Sequence, residues 1–198
     1  FNVGDYVSGT MGWQEYVIID GKPGMTGAVN KVPEGVPPYL MLSALGTTGL
    51  TAYFGMLDLG KPGVGDVVVV SGAAGATGSV AGQIAKIKGA AKVVGIAGGE
   101  AKCKWLTEEL GFDIAIDYKS ENVKDELSKH CPNGIDIFFD NVGGEILDAA
   151  LINMANNGRI VLCGGISAYN ETELPPGPSN YMQLVIRRCT MAGFIVLD

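Results

Sequence analysis

The sequence has few of the residues that build metal sites and disulfide frameworks. It has one histidine, His130, and four cysteines, at positions 103, 131, 163 and 189, which share no Cys-x-x-Cys spacing. Disulfide-rich domains and zinc clusters place their cysteines at short, paired spacings. The pattern therefore argues against both, and it favours a reducing cytoplasm.

The sequence also lacks long apolar runs and clusters of basic residues. No apolar stretch approaches the roughly 18 residues of a membrane-spanning helix, and the net charge of −7 repels the phosphate backbone of nucleic acids. With 47% hydrophobic and 18% charged residues over 198 positions, the composition is that of a globular protein with one main core. We therefore expect neither a membrane nor a nucleic-acid partner.

Glycine is abundant, with 30 residues. Three of these glycines come directly after a segment that has the pattern of a buried strand. Gly72, Gly75 and Gly78 form a GxxGxxG turn between the valine run 67–70 and a segment, 80–87, with apolar residues at helical spacing. Such a turn surrounds a pyrophosphate with backbone N–H groups and the positive end of a helix dipole. A tight turn without a ligand is the alternative, but the flanking strand and helix patterns favour dinucleotide binding.

Strand and helix patterns alternate along the rest of the chain. The predicted strands cover 67–70, 92–97, 114–117, 135–140, 159–163 and 190–196, and the later predicted helices cover 102–110, 123–129, 146–154 and 181–187. This alternation predicts right-handed βαβ crossovers. The expected fold class is α/β, a Rossmann doubly wound parallel sheet with its ligand at the carboxyl ends of the strands.

Residues 1–36 follow a different pattern, with short strand-like runs such as 13–19 separated by turns such as 20–24. They are too few to form a domain, so we expect them to be the incomplete end of a β-rich domain, followed by a dinucleotide-binding domain over 37–198. The chain starts without methionine and stops just after a strand pattern. We therefore expect a fragment of a longer protein.

The residues after the second strand bear on the choice of dinucleotide. NAD-binding chains place an acid about twenty residues beyond the glycines, where it binds the ribose 2′-hydroxyl; here that position is Gly98, which leaves space for a 2′-phosphate. Glu100 argues for NAD, whereas Lys102 and Lys104 are candidate phosphate partners. Together, the missing acid and the nearby lysines favour NADP(H).

Two glycine-containing loops follow later strands on the same edge of the sheet. Asn141 precedes Gly143 and Gly144 after the fourth strand, and the loop 163–167 follows the fifth. An amide side chain beside glycines can bind the nicotinamide half of a dinucleotide, although the same residues also suit an ordinary turn.

These motifs resemble the medium-chain dehydrogenase/reductase superfamily, and within it the leukotriene B4 12-hydroxydehydrogenase/prostaglandin reductase group of NADP-dependent alkenal/one oxidoreductases. The resemblance covers essentially the whole chain, and it makes residues 1–36 the end of a GroES-like catalytic domain. The motifs that carry it are Leu50–Tyr53, Ala73–Ser79, Gly82–Lys86, Asp117–Lys119, Phe139–Gly144, Gly158–Ile160, Cys163–Asn170 and Pro175–Pro178.

The resemblance implies a set of cofactor contacts. Thr51 lies near the nicotinamide, residues 75–78 form the pyrophosphate cradle, Lys102 and Tyr118 bind the 2′-phosphate, and the remaining residues line the nicotinamide side. The implied contacts are Thr51, Gly75, Ala76, Thr77, Gly78, Lys102, Tyr118, Asn141, Cys163, Gly164, Gly165, Ile166, Ser167, Tyr169, Phe194, Ile195 and Val196.

Two departures from the superfamily pattern matter. Thr47 stands where zinc-dependent members have a cysteine ligand, so we expect no metal. Ile186 stands where the mammalian prostaglandin reductases have a tyrosine near the active site, and Tyr181 is not assigned that role. No catalytic side chain is assigned.

The resemblance implies a zinc-independent reductase that transfers hydride from NADPH to the carbon–carbon double bond of small α,β-unsaturated ketones and aldehydes. It also implies a homodimer that forms through the last strand. An NADPH quinone reductase and a non-catalytic NADPH-binding module are the alternatives.

Overall fold

The computed structural model describes residues 1–19 and 29–196, which form two sheets and the helices around them. The strands are β1 (Val7–Gly9), β2 (Val29–Lys31), β3 (Val67–Ser71), β4 (Lys92–Ala97), β5 (Ile114–Asp117), β6 (Ile135–Asp140), β7 (Met154–Leu162) and β8 (Thr190–Gly193). The α-helices are α1 (Thr47–Phe54), α2 (Ala76–Ile87), α3 (Glu100–Glu108), α4 (Val123–His130), α5 (Gly144–Ile152) and α6 (Met182–Arg187). A π-helical turn, Gly55–Gly60, continues α1.

The main sheet is parallel and has the strand order β5-β4-β3-β6-β7-β8. The chain builds outward from β3 to β5 and then returns to place β6 on the other side of β3. The order therefore reverses between β3 and β6, and a crevice opens there at the carboxyl ends of the strands. The predicted doubly wound Rossmann sheet is confirmed.

The valine run of β3 shows why this sheet is covered on both faces. Val68 and Val70 are fully buried in one apolar cluster with residues of α2 and α3, whereas Val69 is fully buried in a second cluster with residues of α4 and α5. Side chains of a strand alternate between faces, so an uninterrupted apolar run requires helices on both sides.

Several predicted boundaries are wrong. The last strand ends at Gly193 rather than at 196, and α5 and β7 begin earlier than predicted, at Gly144 and Met154. The pairing register of β6 with β7 shifts between Ile135 and Ile137, and this bulge accommodates the additional residues at the start of β7, directly after α5.

The N-terminal residues form less regular structure than expected. Strands β1 and β2 pair antiparallel, but the alternating residues 13–19 form no strand, and the large side chains of Trp13 and Ile18 are exposed. Without a second strand beside them, such residues gain nothing from an extended pairing. The turn predicted at 20–24 lies outside the described residues. Among the residues described, no helix is both long and apolar enough to cross a membrane.

Candidate functional site

A cleft of about 970 Å³ opens at the carboxyl edge of the main sheet, where the strand order reverses. Most of the predicted contact residues line it. They are Thr51, Gly75, Ala76, Thr77, Gly78, Lys102, Tyr118, Asn141, Cys163, Gly164, Ile166, Ser167 and Tyr169. The fold thus brings together residues from six separate segments of the chain.

The glycine turn at the base of the cleft needs two of its glycines for steric reasons. Gly72 has a φ of +56°, a left-handed conformation that glycine adopts without strain. A Cβ on Gly78 would clash with the Gly72 carbonyl and lie 2.8 Å from the Ala73 Cα. Helix α2 therefore packs directly on the end of β3, with no room for a side chain between them.

The N-terminus of α2 faces the cleft without a capping side chain. Gly75 is its N-cap residue, no side chain accepts from the first turn, and that turn contains no acid. The backbone N–H groups of Ala76, Thr77 and Gly78 have no partner inside the helix, and all three residues line the cleft. Because the helix dipole adds partial positive charge there, this end of the cleft suits a phosphate.

The two candidate lysines of α3 lie in different environments. Lys104 pairs with Glu100 one turn away, with Nζ 2.7 Å from Oε1, and this ion pair lowers the pKa of Glu100 and raises the pKa of Lys104. Lys102 instead lines the cleft, as does Tyr118. Of the two cations, Lys102 is thus the one positioned to meet a ligand.

Gly98 lines the cleft, and side chains from the turn after β5 lie next to it. A Cβ on Gly98 would lie 2.8 Å from Cε1 of Tyr118 and 3.0 Å from Cε of Lys119. Two side chains from the turn after β5 therefore occupy the volume that an acid at position 98 would need. An acid at position 98 would have to displace the Tyr118 ring and the Lys119 stem, both of which are exposed side chains.

The opposite end of the cleft rests on a buried polar network between β3 and β6. Ser71 and Asp140 are fully buried, and the Ser71 hydroxyl donates to the Asp140 carboxylate over 2.6 Å. The backbone N–H groups of Val142 and Gly143 also donate to that carboxylate. Burial raises the pKa of Asp140, and these hydrogen bonds oppose that rise.

This network fixes the side chain of Asn141. Its Nδ2 donates to the Ser71 carbonyl over 2.6 Å, and its backbone N–H donates to the Ser71 hydroxyl over 2.8 Å. The amide is thereby oriented, and its carbonyl oxygen remains available to accept a hydrogen bond from a ligand in the cleft.

The loop after β7 is tied to the same strand end. The N–H groups of Cys163 and Gly164 donate to the Asp140 carbonyl, and the Ser167 hydroxyl donates to the Val142 carbonyl over 2.6 Å. Burial, followed by the charge of Asp140, raises the pKa of the Cys163 thiol to about 11. This thiol is therefore neutral near pH 7 and is a poor nucleophile.

Four of the predicted contacts do not line the cleft: Gly165, Phe194, Ile195 and Val196. Phe194 instead packs its ring against Gly55, where a Cβ would lie 2.6 Å from Cζ, and joins the apolar core. Ile195 is exposed. Strand β8 ends at Gly193, so residues 194–196 do not continue the strand as was predicted.

Sequence reasoning also missed some residues that line the cleft. They are Ala74, Ala97, Val142, Glu145 and Ile146. Ala74, Ala97 and Val142 lie at or shortly after a strand end, where the carboxyl-end rule would have identified them, whereas Glu145 and Ile146 lie in the first turn of α5. Within residues 1–19 and 29–196, no three His, Cys, Asp or Glu side chains are grouped to hold a metal ion.

Comparisons with known proteins agree with this architecture. Residues 76–198 match the family model described as zinc-binding dehydrogenase. The chain is 42% identical to the NADPH-dependent curcumin reductase of Escherichia coli and 44% identical to prostaglandin reductase 1 of Mus musculus, with 99% of the chain covered in each case. It spans 56% and 59% of the length of these two relatives.

A solved structure also has the same fold as this chain. The crystal structure of CurA from Vibrio vulnificus in complex with NADPH superposes with a TM-score of 0.88 at 46% identity, and the match covers 100% of this chain and 58% of that one. The resemblance to the medium-chain dehydrogenase/reductase superfamily is confirmed, and the chain belongs to the zinc-binding dehydrogenase family.

Proposed function

We propose that this chain binds NADPH in the cleft and belongs to a zinc-independent reductase. The reductase would transfer hydride to the carbon–carbon double bond of a small α,β-unsaturated ketone or aldehyde. The observation that carries the proposal is one cleft that joins an uncapped helix N-terminus to Lys102 and Tyr118. The names of the similar reductases from Escherichia coli and Mus musculus support the same reading.

The glycine turn of the cleft fits the pyrophosphate of this cofactor. A pyrophosphate must approach the backbone closely, and Gly75 and Gly78 present no side chain where a Cβ would contact the Gly72 carbonyl. The N–H groups of residues 76–78 would donate to the pyrophosphate oxygens. Lys102 and the Tyr118 hydroxyl would hold the 2′-phosphate, with the lysine contributing charge.

The far end of the cleft would orient the nicotinamide half. Asn141 would use its amide oxygen for this purpose, because Ser71 already accepts from its Nδ2. Thr51 would contact the same half from α1. These residues hold their positions through the protein's own hydrogen bonds, so little reorganisation accompanies binding.

Bound NADPH supplies the hydride, and the protein supplies position and electrostatics. In our proposal the hydride goes to the β-carbon of the substrate, and solvent protonates the resulting enolate. The raised pKa of the Cys163 thiol, about 11, argues against its acting as a thiolate nucleophile in this reaction. Rate would come from orientation rather than from an acid–base pair of side chains.

We further propose that the protein is a cytoplasmic homodimer that forms through β8. This strand pairs with β7 on one side, and the nearby α6 exposes apolar side chains such as Val185 and Ile186. An unpaired sheet edge beside an apolar surface suits pairing with a second copy. Among the described residues the four cysteines are free, as expected in a reducing compartment.

Titration of the purified chain with NADPH and with NADH tests the cofactor assignment. We expect NADPH to bind more tightly, and we expect Lys102→Ala to weaken NADPH about tenfold while it leaves NADH within about twofold, because a charge-assisted phosphate contact is lost. Lys104→Ala is the matched control, since its ammonium is paired with Glu100. An unchanged NADPH preference in Lys102→Ala would mean that the 2′-phosphate is held elsewhere.

Turnover by the full-length protein that contains this chain tests the reaction, because the chain spans only 56% and 59% of the length of the two similar reductases. We expect NADPH oxidation with a simple enone and none with a saturated aldehyde, because the proposed hydride acceptor is the double bond. Faster oxidation with a quinone than with any enone would replace the proposal with a quinone reductase. Binding without oxidation of NADPH by any of these substrates would leave a cofactor-binding module.

A further inference from the structure

A second lysine lies beside the Gly98 position. A Cβ on Gly98 would be 3.0 Å from Cε of Lys119 and 2.8 Å from the Tyr118 ring. The stem of Lys119 thus crosses Gly98 at the rim of the cleft, and its ammonium is one bond further along. Lys119 itself does not line the cleft, but Gly98 and Tyr118 both do, so the Lys119 stem lies next to the cleft wall at the predicted 2′-phosphate position.

The backbone that carries Lys119 is fixed by a carboxylate. Asp117 accepts from the N–H of Gly99 over 2.8 Å and from the N–H of Lys119 over 3.0 Å. These bonds lower the pKa of Asp117. The bond from Gly99 joins the turn after β5 to the turn after β4, and the N–H of Tyr118 adds a second link between them by donating to the Ala97 carbonyl over 3.1 Å.

Within the part of the chain that the structure describes, the ammonium of Lys119 forms no ion pair. Among the ion pairs within residues 1–19 and 29–196, none includes Lys119, whereas Lys104 and Lys129 on the neighbouring helices are each paired with a glutamate. The charge of Lys119 is felt at Asp117, but that carboxylate is already occupied by backbone N–H groups. Lys119 is therefore able to meet an incoming anion.

We propose that Lys119 is a further binding residue for the 2′-phosphate of NADPH and helps to set the preference for NADPH over NADH. This inference rests on the proposed cofactor. The reason is chemical: at the position where an NAD-binding chain presents an acid to a ribose hydroxyl, this chain presents a cation. A phosphate dianion gains from a second lysine, and a neutral 2′-hydroxyl does not.

A purely structural role for Lys119 predicts a different result. If its stem only shields the Tyr118 ring, its removal alters the ring position and affects both cofactors, or thermal stability, to the same extent. A phosphate contact affects only the cofactor that carries the phosphate, and it responds to salt. The ratio of the two dissociation constants separates these roles.

The experiment measures the Kd of NADPH and of NADH for the purified chain and for Lys119→Ala, Lys119→Arg and Lys102→Ala. We expect Lys119→Ala to raise the Kd of NADPH about fivefold and to leave NADH within about twofold. Lys119→Arg keeps the charge and should stay within about twofold for both. Lys88→Ala removes the same charge at the far end of α2 and is the matched control.

Raising the salt concentration adds a second readout. Increasing KCl from about 50 to 500 mM should weaken NADPH more in the wild type than in Lys119→Ala, because the variant has one charge fewer to screen. Equal salt dependence in the two proteins overturns the inference.

The remaining outcomes are also decisive. An equal loss for NADPH and NADH in Lys119→Ala means a structural role and overturns the inference. An unchanged NADPH affinity in Lys119→Ala, combined with a loss in Lys102→Ala, overturns the inference alone and leaves the proposed cofactor standing. A wild-type chain without any preference for NADPH overturns both.

Discussion

The two ends of the cleft are built in different ways. At the phosphate end, one short segment, residues 75–78, presents backbone N–H groups to the cleft, and Lys102 stands beside it. At the other end, Asn141 depends on a buried network in which the Ser71 hydroxyl and the Asp140 carboxylate are 69 positions apart in the chain. The first end depends on local chain geometry, and the second on the pairing of distant strands.

This difference predicts different responses to substitution. At the phosphate end, an added methyl group displaces backbone and affects the phosphates directly. At the other end, a change at the Asp140 carboxylate leaves a buried hydrogen-bond donor without its acceptor. We expect that change to affect only the binding of the nicotinamide half of a ligand. A ligand that contains only the phosphate half, such as 2′,5′-ADP, distinguishes the two ends when it is compared with NADPH.

The largest effect is expected from Gly78→Ala. The new Cβ would clash with the Gly72 carbonyl and crowd the Ala73 Cα, so α2 must move away from β3. We expect a loss of about 3 kcal/mol in the free energy of unfolding and at least a tenfold weaker binding of both 2′,5′-ADP and NADPH. Urea denaturation and calorimetric titration measure the two effects.

Gly63→Ala is the matched control for this prediction. Gly63 lies in the loop before β3, and a Cβ there would meet nothing within 4 Å. Its substitution should leave both stability and binding unchanged. If Gly78→Ala bound 2′,5′-ADP as tightly as the wild type, direct packing of α2 on the turn would not be what shapes the phosphate end.

A smaller and more selective effect is expected from Asp140→Asn. Ser71 and Val142 donate to Oδ1 of the carboxylate, which the amide oxygen can replace, but Oδ2 accepts from the Gly143 N–H, and an amide nitrogen in its place cannot accept that bond and removes the charge from the network. We expect a loss of about 2 kcal/mol in the free energy of unfolding. Binding of 2′,5′-ADP should stay within about twofold, whereas NADPH should weaken severalfold because Asn141 loses its fixed orientation.

Asp136→Asn tests whether the effect on NADPH binding depends on where along β6 the substituted aspartate lies. Asp136 also accepts a backbone N–H from β3, that of Val67 over 2.8 Å, but it lies at the amino end of the strand, away from the cleft. Its substitution should leave the ratio of the NADPH and 2′,5′-ADP affinities unchanged. Equal weakening of both ligands by Asp140→Asn would contradict the division of the cleft into two independent ends.

The same division explains which features the sequence revealed. Two local patterns predicted the strand–turn–helix unit at the cleft. They are the valine run 67–70 and the turn at Gly72, Gly75 and Gly78. The regular alternation of strands and helices then predicted the parallel sheet, because βαβ connections have one hand.

What the sequence left open depends on contacts between distant residues. Nothing local indicates that Ser71 bonds Asp140, or that the Tyr118 ring fills the space beside Gly98. The segment 194–196 was predicted to continue the last strand because it is apolar, but Phe194 packs against Gly55 instead. An apolar residue such as Phe194 can pack against the core without pairing in a sheet, and the sequence pattern does not distinguish the two.

The smallest effect on NADPH binding is expected from a substitution of Cys163. The pKa of its thiol depends in part on Asp140, so the reactivity of the thiol is a measure of the same network. Its pKa of about 11 is raised first by burial and then by the charge of Asp140, so only about a thousandth of it is thiolate at pH 8. We expect iodoacetamide to modify Cys163 slowly at pH 8, and tenfold faster for each pH unit up to about pH 11. Mass spectrometry of the peptide that contains Cys163 measures the rate.

Asp140→Asn links this thiol to the comparison. Removal of the carboxylate charge lowers the pKa of Cys163, so the alkylation of Cys163 at pH 8 should become severalfold faster. Cys131 is the control. Burial also raises its pKa to about 11, but Asp140 does not contribute, so its alkylation rate should not change. Cys163→Ala should change the Kd of NADPH by less than about twofold, since the neutral thiol contributes only packing. An alkylation rate equal to that of free cysteine at pH 8 would mean that the buried network does not extend its influence to the cleft wall, and that Asp140 acts on the nicotinamide end through Asn141 alone.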